Sequence, residues 1–139
     1  MKVKNMMHRG VQFVEPGTKI AAIAAKMQQH DIGAIPVCDN GKPIGMVTDR
    51  DITIRALANG KDAAKLTAKD VMTAKVIYCR DSAEAEDAIR IMESKQIRRL
   101  PVIDDNKRMI GMLSFGDISH AAPPRLAGEL MAAVSAHHD

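Results

Sequence analysis

Aromatic residues are almost missing from this chain. Its 139 residues include Phe13, Tyr78 and Phe115, and no tryptophan. Proteins that hold single-stranded nucleic acid stack bases on aromatic platforms, so that class is disfavoured. Cysteine is equally scarce: Cys38 and Cys79 are the two present. Two thiols so far apart make neither a disulfide scaffold nor a Cys-x-x-Cys metal site, and reduced thiols in the cytoplasm are expected. No apolar run approaches the roughly 18 residues needed to cross a membrane. The opening residues, Met1-Lys2-Val3-Lys4-Asn5, lack the apolar stretch of a signal peptide. There is no polybasic arm, since 20 Lys and Arg are interspersed among 17 Asp and Glu for a formal charge of +3.

Apolar residues, by contrast, make up 46% of the chain and charged ones 27%. That balance buries enough surface to offset conformational entropy, so an ordinary globular protein of single-domain length is expected. Ten methionines are present. Most sit at periodic apolar positions, where Met fills irregular core space.

The chain repeats itself. A shift of 65 lays Asn5 to Val37 on Asp70 to Val102, matching Met7 with Met72, Val11 with Val76, Met27 with Met92, Ile32 with Ile97 and Pro36 with Pro101. One inserted loop residue raises the shift to 66, and Ile44-Gly45-Met46 then falls on Ile110-Gly111-Met112. Each copy carries a helical face: Ile20, Ile23, Ala24 and Met27, then Ala85, Ala88, Ile89 and Met92. Thr18, and Asp81 or Ser82, are candidate N-caps. Before the helices lie β-prone runs, Val11 to Val14 and Val76 to Cys79. After them come Ala34 to Cys38 and Arg99 to Ile103, then turn residues, then returning strands Pro43 to Val47 and Met109 to Leu113. A second helix is expected near Asp51 and near Asp117.

The expected fold class is therefore α+β, two β-α-β-β-α repeats packed sheet to sheet as a pseudo-twofold pair. Repeat 1 is placed at residues 3–58, a linker at 59–69 and repeat 2 at 70–122. Pro123-Pro124 then breaks the chain. Residues 123–139 form a tail in which Leu126, Leu130, Met131 and Val134 give an amphipathic helix, suited to capping the module or to a subunit contact.

The sharpest shared motif is Gly45-Met46-Val47-Thr48-Asp49-Arg50-Asp51, matched by Gly111-Met112-Leu113-Ser114-Phe115-Gly116-Asp117. It falls where a strand turns into a helix, and the first N–H groups there favour an anion. The hydroxyl of Thr48 or Ser114 can bond a phosphate oxygen, and the carboxylate three residues on suits the paired hydroxyls of a ribose. The plainer alternative is an N-cap with the Asp held by the helix dipole. One copy would favour the cap; two copies inside a larger repeat favour the ligand. Pro36 and Pro101 cannot donate to a ladder, so each marks an edge or a place where pairing stops and backbone is left for something else. Arg98-Arg99 is the one adjacent Arg pair, and its guanidinium forks match phosphate geometry or a surface ion pair.

The tandem repeat, with D-I-G-A-I-P-V, G-M-V-T-D-R-D and R-R-L-P-V-I-D, resembles a pair of cystathionine-β-synthase (CBS) domains over roughly residues 3 to 122. The resemblance implies regulatory binding of an adenosyl ligand (AMP, ADP, ATP, S-adenosylmethionine or NAD) in a cleft between the repeats, with no catalytic cofactor. It implies one site from Thr48, Arg50 and Asp51 with Thr73, Ile77, Ile97, Arg98 and Arg99. A second would draw on Ser114 and Asp117 with His8, Gln12, Ile32, Gly33 and Ala34. His8 stands where the other repeat carries Thr73, a departure that touches the second site. A homodimer, an unidentified target protein and signal transduction without catalysis complete what the resemblance implies. The rivals are a nucleic-acid-binding regulator, against which the aromatic poverty counts, and an enzyme using Cys38, Cys79, His8, His30 or His120, for which no local signature exists. A metal site at His137-His138-Asp139 is the third.

Overall fold

A computed structural model describes residues 1–121 and 123–135. They form an α+β arrangement with two small sheets. One pairs β1 (Ala34–Asp39) with β2 (Lys42–Thr48); the other has the order β3 (Cys79–Arg80), β4 (Arg99–Ile103), β5 (Met109–Ser114). The helices are α1 (Ile20–His30), α2 (Asp49–Ile52, continued as a π-turn over Thr53–Leu57), α3 (Ala68–Val71), α4 (Ala85–Lys95), α5 (Phe115–Ala121) and α6 (Pro124–Ser135). Two compact units result. Unit 1 comprises Met1–Val11 and Ile77–Asp139, and unit 2 comprises Gln12–Val76.

In unit 2, α1 turns Ile20, Ile23 and Met27 inward against Ile35, Val37 and Val47 of the hairpin. Alternation along β1 and β2 aims those side chains at the helix. Asn40 and Gly41 adopt φ of 51° and 79° in the two-residue turn, the left-handed pair that matches strand twist. Ala56, Ala68 and Val71 complete the core.

Unit 1 repeats this plan. Ala85, Ala88, Ile89 and Met92 of α4 pack on Leu100, Val102 and Leu113. The pairing Pro36↔Met46 recurs as Pro101↔Met112, and a one-residue bulge follows Val37 in one hairpin and Val102 in the other. Leu126 brings α6 into this core and is 2% exposed. The side chains of Leu130 and Val134 and all of residues 136–139 lie outside the described residues.

The two sequence repeats exchange their leading segments. Val3, Met6 and Met7 are buried in unit 1, whereas Ala68 and Val71 are buried in unit 2. Met46 exchanges two backbone hydrogen bonds with Thr73 (3.0 and 2.8 Å), and Met112 exchanges two with His8 (2.9 Å each). Lys19 bridges Thr67 in one unit and Glu84 bridges Lys2 in the other. All of these pairs are related by the 65- or 66-residue shift.

Two local expectations are corrected here. The first strands shrink: residues 11–14 supply a single parallel bridge, Val14↔Val37, and residues 76–79 only the start of β3, which pairs as Cys79↔Val102 and Arg80↔Ile103. In both cases pairing begins just past the proline, where an N–H is again available. The helix caps also move. Lys19 and Glu84 are the N-cap residues, neither with a side-chain cap bond. The Ile20 N–H instead donates to the Leu66 carbonyl (3.2 Å), and that of Ala85 to the Met1 carbonyl (2.9 Å). A carbonyl from the exchanged segment satisfies the orphan donor, so no Ser, Thr or Asp is needed there. Thr18 instead closes the preceding turn, accepting from the Glu15 N–H at 3.2 Å.

Candidate functional site

In each unit the returning strand of the hairpin runs directly into a helix. At that junction in unit 2, the Asp51 N–H donates to Thr48 Oγ1 (3.0 Å) and the Thr48 N–H donates to Asp51 Oδ2 (2.9 Å). In unit 1 the Asp117 N–H donates to Ser114 Oγ (3.1 Å) and the Ser114 N–H to Asp117 Oδ2 (2.8 Å). Both are reciprocal capping boxes. The plainer reading of the motif is thus realised, and it leaves room for the other. The box uses one carboxylate oxygen and fixes the side chain, so the second oxygen is aimed by the fold.

That second oxygen faces different neighbours in the two units. Asp117 Oδ1 lies 3.3 Å from His8 Nδ1, and its side chain is 9% exposed. Asp51 Oδ1 lies 3.8 Å from Arg55 Nε. Arg55 also donates through its terminal nitrogen to the Met72 carbonyl (2.9 Å).

A cavity of about 270 Å³ opens beside Asp117, lined by His8, Arg99, Met112, Ser114 and Asp117. The hairpin register explains the company. Arg99 stands opposite Ser114, and the Phe115 N–H donates to the Arg98 carbonyl at 2.9 Å. Within unit 1 the structure sets Arg99 beside Ser114 and Asp117. Likewise Ala34 stands opposite Thr48, and the Asp49 N–H donates to the Gly33 carbonyl at 3.0 Å. Antiparallel pairing forces this: a pre-proline segment lies beside the signature of its own hairpin.

The remaining expected residues divide between the units. Gln12 accepts a bond from Lys26 Nζ at 3.3 Å, Ile32 packs against the unit 2 core, and Arg50 is exposed. Ile77 and Ile97 pack against the unit 1 core. Sequence reasoning missed Met112 as a lining residue, although it follows the shared glycine. It also passed over Asp49, whose carboxylate sits beside Gly33 so closely that an added Cβ would stand 3.1 Å from it. A larger hollow of about 560 Å³, lined by Phe13, Val14, Glu15, Gly17, Thr18 and Lys26, contains no residue of the strand-to-helix motif.

Burial pushes the Cys38 thiol up to about 11 and the Cys79 thiol up to about 12. Burial thus favours the protonated thiols, which counts against either as a nucleophile. Among the described residues no group of three or more His, Cys, Asp or Glu is placed to hold a metal, and no helix is long and apolar enough to cross a membrane. His137, His138 and Asp139 lie outside the described residues.

The model of the CBS domain family matches residues 3–57 and again residues 68–123. The chain belongs to the CBS domain family. It is a CBS pair, a regulatory module. Hypoxic response protein 1 of Mycobacterium tuberculosis is 34% identical over 132 residues, covering 94% of this chain and 92% of that protein. A crystal structure of Hypoxic Response Protein I with two coordinated zinc ions superposes with a TM-score of 0.81 at 35% identity, covering 88% of this chain and all of that one. Protein MK0525 of Methanopyrus kandleri is 34% identical over 124 residues, so this chain spans 63% of that relative's length, with 88% of this chain covered. Two similar structures hold adenosyl compounds. CBSX2 in complex with AMP has a TM-score of 0.74 at 26% identity, covering 86% of this chain and 94% of its own. The CBS pair of MJ0100 with 5′-methylthioadenosine and S-adenosylmethionine has a TM-score of 0.74 at 28% identity, covering 86% and 98%.

Proposed function

We infer that the protein is a non-catalytic sensor. It binds an adenine nucleotide or related adenosyl compound, and passes that information to a partner protein in the cytoplasm as a homodimer. The observation that carries this reading is Asp117: one oxygen is locked in a capping box, and the residue lines a cavity that Arg99 also lines. A fixed carboxylate oxygen accepts ribose hydroxyls, and a guanidinium nearby matches a phosphate. Adenosyl ligands in CBSX2 and MJ0100 support the ligand class. Asp51 offers the matching acceptor in unit 2. The exposure of Ile54 and Leu57, at 44% and 64%, supports a face that a second copy covers. The stretch 124–136, a further contact expected from sequence, ends at Ala136, outside the described residues.

Calorimetry with AMP, ADP, ATP, NAD and S-adenosylmethionine tests the reading. Binding of at least one is expected, without turnover. Ligand at 100 times Kd should stabilise the fold by about 2.7 kcal/mol, giving a visible thermal shift. No heat and no shift with any of them at millimolar concentration would sink the reading, and product formation would sink its non-catalytic part. Because Arg99 lies beside Asp117, Asp117→Asn is expected to weaken binding more than Asp51→Asn, by about ten- to hundredfold for loss of a charged acceptor. Light scattering near the mass of one chain across a wide concentration range would remove the dimer.

A further inference from the structure

The repeat is broken at one position inside the site. The residue that bridges β5 in unit 1 is His8, and the residue that bridges β2 in unit 2 is Thr73. His8 is pinned by its backbone, which exchanges two bonds with Met112. Its side chain is 75% exposed, and yet lies with Nδ1 3.3 Å from Asp117 Oδ1. Asp117 Oδ2 is already taken by the Ser114 N–H. The imidazole therefore competes for the carboxylate oxygen that the capping box does not use.

We propose that His8 is a latch on the unit 1 site: it holds the ribose acceptor of the empty protein and must swing away before a nucleoside can bind. This rests on the nucleotide-binding reading and adds to it a built-in competitor that Thr73, a shorter side chain, does not supply in unit 2. The charged and titratable groups facing His8 are Asp117 on α5 and Arg99 on β4; Arg9 follows it in its own segment, and β5 brings Met112 and Ser114 without charge. Adenosine, which has no phosphate for an imidazolium to hold instead, isolates the competition for the ribose oxygen.

The experiment compares the full chain with His8→Thr and His8→Ala, measuring adenosine and AMP affinity. An exposed pair of this kind should hold adenosine affinity down by about 1.5- to 5-fold. Both variants are expected to bind adenosine more tightly than the parent. Unchanged or weaker adenosine binding by both variants would overturn the latch while leaving the nucleotide reading standing. No binding of adenosine or AMP by any of the three proteins would overturn the nucleotide reading instead.

Discussion

Gly45 and Gly111 look, in the sequence, like the opening residues of a ligand motif. Their role is closer to hand. A Cβ on Gly45 would stand 2.5 Å from Met72 Sδ and 2.9 Å from the Thr73 carbonyl oxygen; one on Gly111 would stand 2.7 Å from the His8 carbonyl oxygen and 2.9 Å from Met7 Sδ. Each glycine is the gap through which an exchanged segment reaches its strand. At Gly111 the nearest obstacle is backbone, held by the two bonds between His8 and Met112, so it cannot step aside as a flexible side chain can. Gly111→Ala is therefore expected to destabilise unit 1 by about 1–3 kcal/mol through overpacking, read as a drop in the denaturation midpoint. It should also loosen His8 and so disturb the site. A melting point equal to that of the parent would show that the segment shifts without strain.

At the scale of elements, the exchanged segments do for α1 and α4 what caps do elsewhere. The Lys2 Nζ lies 2.8 Å from Glu84 Oε1, and the amino terminus 3.1 Å from Oε2. The Lys2 ammonium and then the terminal amine hold the Glu84 carboxyl below its ordinary value of 4.5. A carboxyl depressed in the folded state contributes stability above its unfolded value and loses it as pH falls through the folded one. Stability tied to this contact should therefore be present above about pH 4.5 and fade in more acid solution. Glu84→Gln should lower the melting point at pH 7 and flatten its acid dependence; an unchanged acid profile would show that the contact does not form in solution. The same elements show what could be read beforehand. Helices, hairpins and the strand-to-helix turns follow from local periodicity and turn residues, so they were legible. The caps were not, because the carbonyls of Leu66 and Met1 that replace Thr18 and Ser82 come from 46 and 84 residues away in the chain. The placement of Arg99 beside Asp117 needed only the hairpin register.

For the whole chain, the exchange means that sequence repeats and spatial units do not coincide. A cut through the linker, leaving residues 1–58 and 70–139, would follow the repeats. It would strip unit 1 of Val3, Met6 and Met7, which are 0%, 6% and 9% exposed, together with the bonds at His8 and the carbonyl that caps α4. Truncating one buried methionine to alanine already costs about 2–5 kcal/mol. Losing two with a valine exceeds much of the roughly 5–15 kcal/mol that holds a domain together. Residues 12–76, by contrast, retain the complete buried core of unit 2, from Val14 to Val71. The fragment 12–76 is therefore expected to unfold cooperatively in denaturant, and the fragment 70–139 to lack a cooperative transition. Supplying residues 1–11 as a peptide should restore the transition in 70–139, in proportion to peptide concentration, because binding to the folded form alone shifts the equilibrium by mass action. A fragment 70–139 that folds by itself as firmly as 12–76 would mean that the leading segment is an accessory strap. The unit boundaries would then lie where the sequence repeat puts them.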